Sequence, residues 1–203
     1  MRLILVRHGE TGWNRDSRIM GQSDIMLTER GQRQAERLGE ALREERVGAV
    51  YSSPLTRARQ TAEAIALFHG LEVVTDKGLM EIHAGDLDGL TYEELVTQHA
   101  EFLKEWVAVG PTLKVPGGES LDDVQRRAWA TVSKLADLHA SETVVAVSHS
   151  LAIQSVVCKA LDMGMSNMRR LHMGLASINI LNFERGGVSL LLYNDTCHLE
   201  VAD

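Results

Sequence analysis

Cysteine is scarce in this chain of 203 residues: only Cys158 and Cys197 carry thiols, without metal-ligand spacing between them. Two such residues make no disulfide framework, and two reduced thiols are expected. Eight histidines are present, yet no His-Glu-x-x-His or Cys-x-x-Cys cluster occurs, so a metal hydrolase ranks last among readings. Neither a metal nor a cofactor is expected. Basic charge is also short, with 21 Lys and Arg against 28 Asp and Glu and a net charge of -7. No global positive field gathers nucleic acid or acidic membranes, so any anion site must be local. Long apolar runs are missing too. The one near the start, Leu3 to Val6, is short and broken by Arg7 and His8, which points to neither a leader nor a span. A cytoplasmic location is the resulting expectation. No repeat at solenoid periods and no low-complexity stretch appears.

What is present is ordinary for a globular protein: 44% apolar and 24% charged residues. A domain of this length buries roughly 70% of its unfolded surface, and one domain over residues 1–203 is expected. The loosest segment, Gly110 to Gly118, reads as a loop inside that domain.

Three apolar runs carry the informative polar residues. Leu3-Ile4-Leu5-Val6 leads into Arg7-His8-Gly9, Val47 to Tyr51 into Ser52-Ser53-Pro54-Leu55-Thr56-Arg57, and Thr143 to Val147 into Ser148-His149-Ser150. Continuous runs of this kind suit strands covered on both faces, as in parallel α/β sheets. Ser53 as N-cap with Pro54 at the first helical position predicts a helix to about Phe68, with Arg57 in its first turn. Thr28 predicts a helix to about Glu45, Leu71 to Val74 a short strand, and Leu151 to Leu161 a helix. Thr91 with Glu94 and Ser120 with Asp123 form capping-box patterns, the second opening a helix to about His139. Ala176 to Phe183 and Val188 to Tyr193 flank Arg185-Gly186-Gly187 as a hairpin. The expected class is α/β: a three-layer sandwich, a mostly parallel sheet with helices on both faces and an antiparallel edge strand. In such sheets ligands collect beyond the carboxyl ends of strands. His8, Arg57 and His149 would then project from one sheet edge as a phosphate site, with a helix N-terminus near Ser150 adding donors.

At this point the chain resembles a known family. Leu5-Val6-Arg7-His8-Gly9-Glu10-Thr11 with Trp13-Asn14, then Gly21-Gln22, Asp24, Leu27-Thr28 and Gly31, is similar to the opening signature of the histidine phosphatase superfamily, also called phosphoglycerate mutase-like. Ser52 to Leu55, Arg57-Ala58 and Gln60-Thr61-Ala62 match its second motif, and Glu81 with Gly85 and Gly89 the third. Gly117-Gly118-Glu119-Ser120 and Val147-Ser148-His149 match the last two, so the likeness spans nearly the whole chain in order. It implies His8 as a nucleophile forming a phosphohistidine, Glu81 as general acid, and Arg7, Arg57 and His149 as phosphoryl ligands. Asn14, Gly21 and Gln22 would line the pocket, and Ser150, where many members have glycine, offers an extra hydroxyl donor or fills space.

The chemistry agrees with these residue types. A neutral imidazole can attack phosphorus, and arginine forks match phosphoryl oxygens while staying charged. A dianion beside His149 favours its cationic form. Phosphate crowding a carboxyl raises its pKa, as a general acid requires.

The expected activity is hydrolysis of small phosphomonoesters without metal, with a small phosphorylated metabolite as partner and neither nucleic acid nor membrane. Candidate substrates are phosphoserine, α-ribazole 5′-phosphate, phosphoglycerate derivatives and sugar phosphates, chosen by the segment from Leu90 to Val115. A cofactor-dependent phosphoglycerate mutase is the runner-up. Mutases of the family carry Arg-His-Tyr-Gly after the acid, whereas this chain has Ile82-His83-Ala84-Gly85. A non-catalytic phosphate-binding module is the third reading. Family members often have an aromatic residue where Ala84 stands and Trp-Glu at Leu87-Asp88. The ending Asn194 to Leu199 is similar to the tail of certain metal-independent phosphoserine phosphatases, but those carry histidine at the Ala84 position, and here it is His83. The apolar C-terminal hairpin can pair with a second copy as a homodimer.

Overall fold

Leu3, Ile4, Leu5 and Val6 are all buried, which requires cover on both faces of their strand. In the computed structural model, which describes residues 1–200, that strand is β1 (Arg2–Arg7). It runs parallel to β4 (Thr143–Ser148), which in turn pairs in parallel with β2 (Val47–Ser52), and β2 with β3 (Val73–Thr75). On the other side of β1 lies the antiparallel hairpin of β5 (Ile178–Glu184) and β6 (Gly187–Asp195). The six-stranded order is β3-β2-β4-β1-β5-β6.

The helices are α1 (Gly12–Arg15), α2 (Glu29–Leu42), α3 (Thr56–His69), α4 (Tyr92–Gln98), α5 (Ala100–Val109), α6 (Leu121–Leu138) and α7 (Ser150–Ala160). Alternate strand residues point to opposite faces, and the two cores divide accordingly. Ile4, Val6, Val145 and Val147 meet Leu38, Leu42, Ala62 and Ile65 of α2 and α3. Leu3, Leu5, Val144 and Ala146 meet Ala128, Val132, Leu135, Ile153 and Val157 of α6 and α7. Truncating such a residue, as in Leu38→Ala, costs about 2–5 kcal/mol through lost burial and the cavity left behind. A third core joins Ile82, Leu95, Val115, Leu121 and Ala152. Ala152 lies in the first turn of α7, so this core sits at the carboxyl end of β4. The three layers and the antiparallel edge are those expected.

Several boundaries differ from expectation. α3 begins at Thr56, not at Pro54 behind a Ser53 cap: Leu55 is extended, and Ser53 Oγ accepts from Leu55 N at 3.3 Å. Its cap comes from across the fold, where Asp24 accepts from Thr56 N at 2.6 Å and from the Thr56 hydroxyl at 2.8 Å. α2 stops at Leu42, and beyond it Glu45 pairs with Arg2 at 2.8 Å. β3 begins at Val73, since the chain just before it closes α3 through Gly70 at φ +64° and the bond from Leu71 N to Ala66 O. β5 begins at Ile178, after Ala176 adopts φ +53°. Both capping boxes, Thr91 with Glu94 and Ser120 with Asp123, form as their spacing predicts. No helix among the described residues is long and apolar enough to cross a membrane.

Candidate active site

Arg7 and Ser148 are register partners at the ends of the adjacent parallel strands β1 and β4. The residue just after each strand is a histidine, and the rings of His8 and His149 lie 5.1 Å apart. Arg57 reaches the same place from the first turn of α3, donating from Nε to His149 Nδ1 at 3.2 Å. Glu81 arrives on the segment after β3, close enough to Arg7 and Arg57 to act electrostatically on both. The fold thus gathers the five predicted residues at one sheet edge. Arg57 and His149 are 0% exposed, His8 2% and Glu81 5%. The loop after His8 is held by close backbone approach. A Cβ on Gly9 would stand 2.5 Å from the Gly31 carbonyl oxygen, at the start of α2.

Local bonds set each ring's tautomer. His8 Nδ1 lies 2.7 Å from Gly9 O, which can only accept, so Nδ1 carries the proton and Nε2 keeps a lone pair. Burial first, then Arg57 and Arg7, hold His8 well below the ordinary histidine range. It is a neutral imidazole whose Nε2 lone pair is free. His149 is the mirror case: Nδ1 accepts from Arg57, so the proton sits on Nε2. Burial, Arg57 and His8 press its pKa well down. His149 is therefore neutral in the resting site, where Arg57 and Arg7 supply the positive charge; the cationic form is expected only beside a bound dianion.

Unmet donors mark the ligand position. Arg7 Nη1 donates to Met173 O at 2.5 Å, but its buried Nε has no partner among the described residues, and neither does His149 Nε2. A buried polar group left without a partner costs about 1–3 kcal/mol, so two in one site mark a place built for an acceptor. Arg57 is fixed by bonds from Nη1 to Ser23 O and from Nη2 to Gly21 O, both 2.8 Å. Burial lowers its pKa to about 10, which leaves it charged at neutral pH.

Glu81 has the opposite shift. Burial raises its pKa, while donation from Ile82 N at 2.9 Å and Leu151 N at 3.2 Å, together with Arg57 and Arg7, restrains the rise. Its backbone is clamped. Arg127 on α6 donates to Gly78 O, Met80 O and Glu81 O at 3.0, 2.6 and 2.9 Å, and pairs through Nε with Glu119 Oε1 at 2.9 Å. Glu119 also accepts from His83 N at 2.9 Å. Reading the sequence found no role for Arg127, and Glu119 appeared only inside a matched motif. Its presence in Gly117-Gly118-Glu119-Ser120 was the available signal.

The four predicted pocket residues fare differently. Gln22 donates to Glu81 O at 2.9 Å and so supports the acid's backbone. Gly21 gives its carbonyl to Arg57 and its N–H to Asp88 at 2.8 Å, and a Cβ there would meet Ala84 Cβ at 2.6 Å. Asn14 commits its Oδ1 to Thr11 N and Oγ1, at 3.0 and 2.9 Å, in the capping box of α1. Ser150, half-buried, is the first residue of α7. Asp88, missed in the sequence, anchors the Gly21–Ser23 turn, accepting also from Ser23 N and Oγ at 3.0 and 2.9 Å. Among the described residues no group of three His, Cys, Asp or Glu side chains is placed to hold a metal ion.

A model of the histidine phosphatase superfamily (branch 1) matches residues 3–196. The chain belongs to this superfamily. Phosphoserine phosphatase 1 of Hydrogenobacter thermophilus is 35% identical over 199 residues, covering 98% of this chain and 94% of that protein. Phosphoglycerate mutase-like protein 4 of Arabidopsis thaliana is 36% identical over 202 residues, covering 98% and 86%. Among solved structures, YhfR of Bacillus stearothermophilus superposes with a TM-score of 0.90 at 33% identity, covering 98% of this chain and 99% of that one. This superfamily member is an enzyme of the phosphatase and mutase kind.

Proposed function

We propose that the enzyme hydrolyses small phosphomonoesters through a phosphohistidine on His8, without a metal ion, and that water is the normal acceptor. Two buried unpartnered donors, Arg7 Nε and His149 Nε2, beside a histidine held neutral, carry this reading. The phosphoryl oxygens take up those donors and the Arg57 charge. The His8 Nε2 lone pair attacks phosphorus as the bond to the ester oxygen breaks, and the Glu81 proton passes to that leaving oxygen. The alcohol departs. Water then attacks the phosphoryl group, giving its proton to the Glu81 carboxylate, and the N–P bond breaks to release phosphate and neutral His8. Bound dianion raises the Glu81 pKa beyond what burial alone does, which readies the acid.

The test combines phosphate release with trapping. Acid-labile, base-stable phosphate should be caught on the wild type and absent from His8→Ala, whose kcat falls by about three orders of magnitude or more with the fold intact. Activity should survive exhaustive chelation with EDTA. Near-normal turnover by His8→Ala would sink the nucleophile. Loss with EDTA, restored by one divalent metal alone, would sink the metal-free chemistry.

A further inference from the structure

The C-terminal segment from Asn194 to Leu199 supplies none of the five clustered residues, yet it reaches the site through a single peptide group. Arg7 Nη1 donates to Met173 O at 2.5 Å. The N–H of that same peptide, at Gly174, donates to Asn194 Oδ1 at 2.6 Å. A peptide unit is planar and stiff, so its carbonyl oxygen moves when its N–H end moves. Asn194 therefore sets where the partner of Arg7 stands.

The hold on Asn194 is equally specific. Its N–H donates to Asn179 Oδ1 at 2.8 Å, and Asn179 Nδ2 donates to Leu5 O on β1 at 3.1 Å. Asn179 on β5 is 0% exposed, although asparagine is depleted from strands. A buried amide persists where its donors and acceptors are met, and here both ends are used. Asn194 itself lies at φ +55°, left-handed backbone that asparagine tolerates better than most side chains. The Met173 side chain is held as well, since Ser177 Oγ donates to its sulfur at 3.1 Å.

The segment suspended from these bonds flanks both Arg7 and His8. Ala176 N donates to His8 O, and Ser177 O accepts from Arg7 N, each at 3.1 Å. Ala176 has φ +53°, a strained conformation for alanine that persists only where surrounding bonds impose it. Met173 O engages Nη1 of Arg7 and so aims the edge bearing Nε, which has no partner among the described residues.

Resting on the phosphatase reading above, we propose that Asn194, held by Asn179, is a positioning residue for Arg7, fixing its guanidinium on the phosphoryl group through the Met173–Gly174 peptide. Asn194 acts only through that peptide. Loss of its side chain weakens what Arg7 does for the phosphoryl group and leaves the leaving-group chemistry of Glu81 alone.

Asn194→Gly deletes the acceptor while suiting the left-handed backbone, so the turn itself is not strained by the change. The Kd for inorganic phosphate should rise about tenfold or more, because Arg7 is no longer held in place. Values of kcat/KM should fall about tenfold to a hundredfold for alkyl and aryl phosphates alike, their ratio shifting less than about twofold. Asn194→Asp keeps an oxygen for the Gly174 N–H and should stay within about threefold of the wild type. The decisive arm is a double-mutant cycle: in an Arg7→Gln background, Asn194→Gly should cost less than about twofold further in phosphate affinity. A further loss as large as that in the wild-type background would make the effect general to the fold and overturn the proposal. Wild-type phosphate affinity in Asn194→Gly, or an equal loss in Asn194→Asp, would overturn it too. Phosphate binding needs no turnover. Affinity that depends on Asn194 only when Arg7 is present, in a protein that hydrolyses no ester, would defeat the hydrolytic reading and leave the positioning role standing.

Discussion

Arg57 Nε donates to His149 Nδ1 across 3.2 Å, and this contact decides which nitrogen of His149 faces the phosphate position. With Nδ1 occupied as an acceptor, Nε2 must hold the proton and becomes a donor aimed at a ligand oxygen. His8 is set the same way by Gly9 O, with the opposite outcome, a free lone pair on Nε2. Two histidines 5.1 Å apart thus take different tautomers and different tasks from their second nitrogens.

Lysine cannot do what Arg57 does. The Arg57 guanidinium reaches His149, Ser23 O and Gly21 O at once, and a single ammonium cannot span that fork. Arg57→Lys keeps the charge but should lower kcat/KM about a hundredfold or more, with the thermal midpoint shifted far less than activity. Retention of wild-type kcat/KM would show that only the charge matters.

The neutral histidines tie stability to pH. His8 and His149 both have folded-state values well below the unfolded value of 6.5. Below pH 6.5 the unfolded chain binds protons that the folded chain refuses, so stability present above that value is lost as pH falls. Each such histidine steepens the loss by up to about 1.4 kcal/mol per pH unit. Urea unfolding from pH 7.5 down to 5 should show this slope in the wild type, reduced in His149→Gln. An identical slope in the variant would mean that His149 is protonated in the folded protein.

Much of this was legible in the chain. The runs ending in Arg7-His8, in Ser52 to Arg57 and in Ser148-His149 announce buried strands with polar ends, and the capping boxes at Thr91 and Ser120 state their helix starts. What stayed hidden are contacts between segments distant in sequence. Asp24 caps a helix 32 residues away, Arg127 grips a loop 46 residues away, and Asp88 braces a turn 67 residues away. Local patterns carry no trace of such pairs. The neutrality of His149 was hidden for a related reason, since it depends on burial beside two arginines from other elements.

Arg127 should act through Glu81 and not on phosphate. Its bonds to Met80 O and Glu81 O, with the Glu119 pair behind them, fix where the acid's carboxyl points. Arg127→Leu releases that segment, and a misplaced acid costs catalysis steeply. Turnover of alkyl phosphates should fall about tenfold to a hundredfold, while aryl phosphates, whose leaving groups need less protonation, change several-fold less. Glu119→Gln, which keeps one acceptor oxygen for these donors, should fall between. Equal losses for both substrate types would mean that Arg127 serves folding or phosphate binding instead.

The choice between hydrolase and mutase turns on what surrounds Glu81. A mutase must keep its phosphoacceptor near the phosphohistidine and hold water away, which requires a basic anchor for a glycerate carboxylate. The residues after the acid are Ile82, His83 and Ala84, none of them basic at the arginine position; Ile82 and Ala84 face a mostly apolar cavity whose one arginine, Arg169, comes from a distant segment, and Arg127 is already committed to Glu119 and three carbonyls. With 3-phosphoglycerate and catalytic 2,3-bisphosphoglycerate, phosphate release should therefore exceed isomerisation. Burial raises the Glu81 pKa, so the protonated acid persists above the usual carboxylate range and is lost as pH rises through the shifted value. Turnover of alkyl phosphates should fall on that alkaline limb, and Glu81→Gln should remove the limb and slow alkyl esters more than aryl esters. Formation of 2-phosphoglycerate at a higher kcat/KM than any phosphate release would place the enzyme on the mutase side.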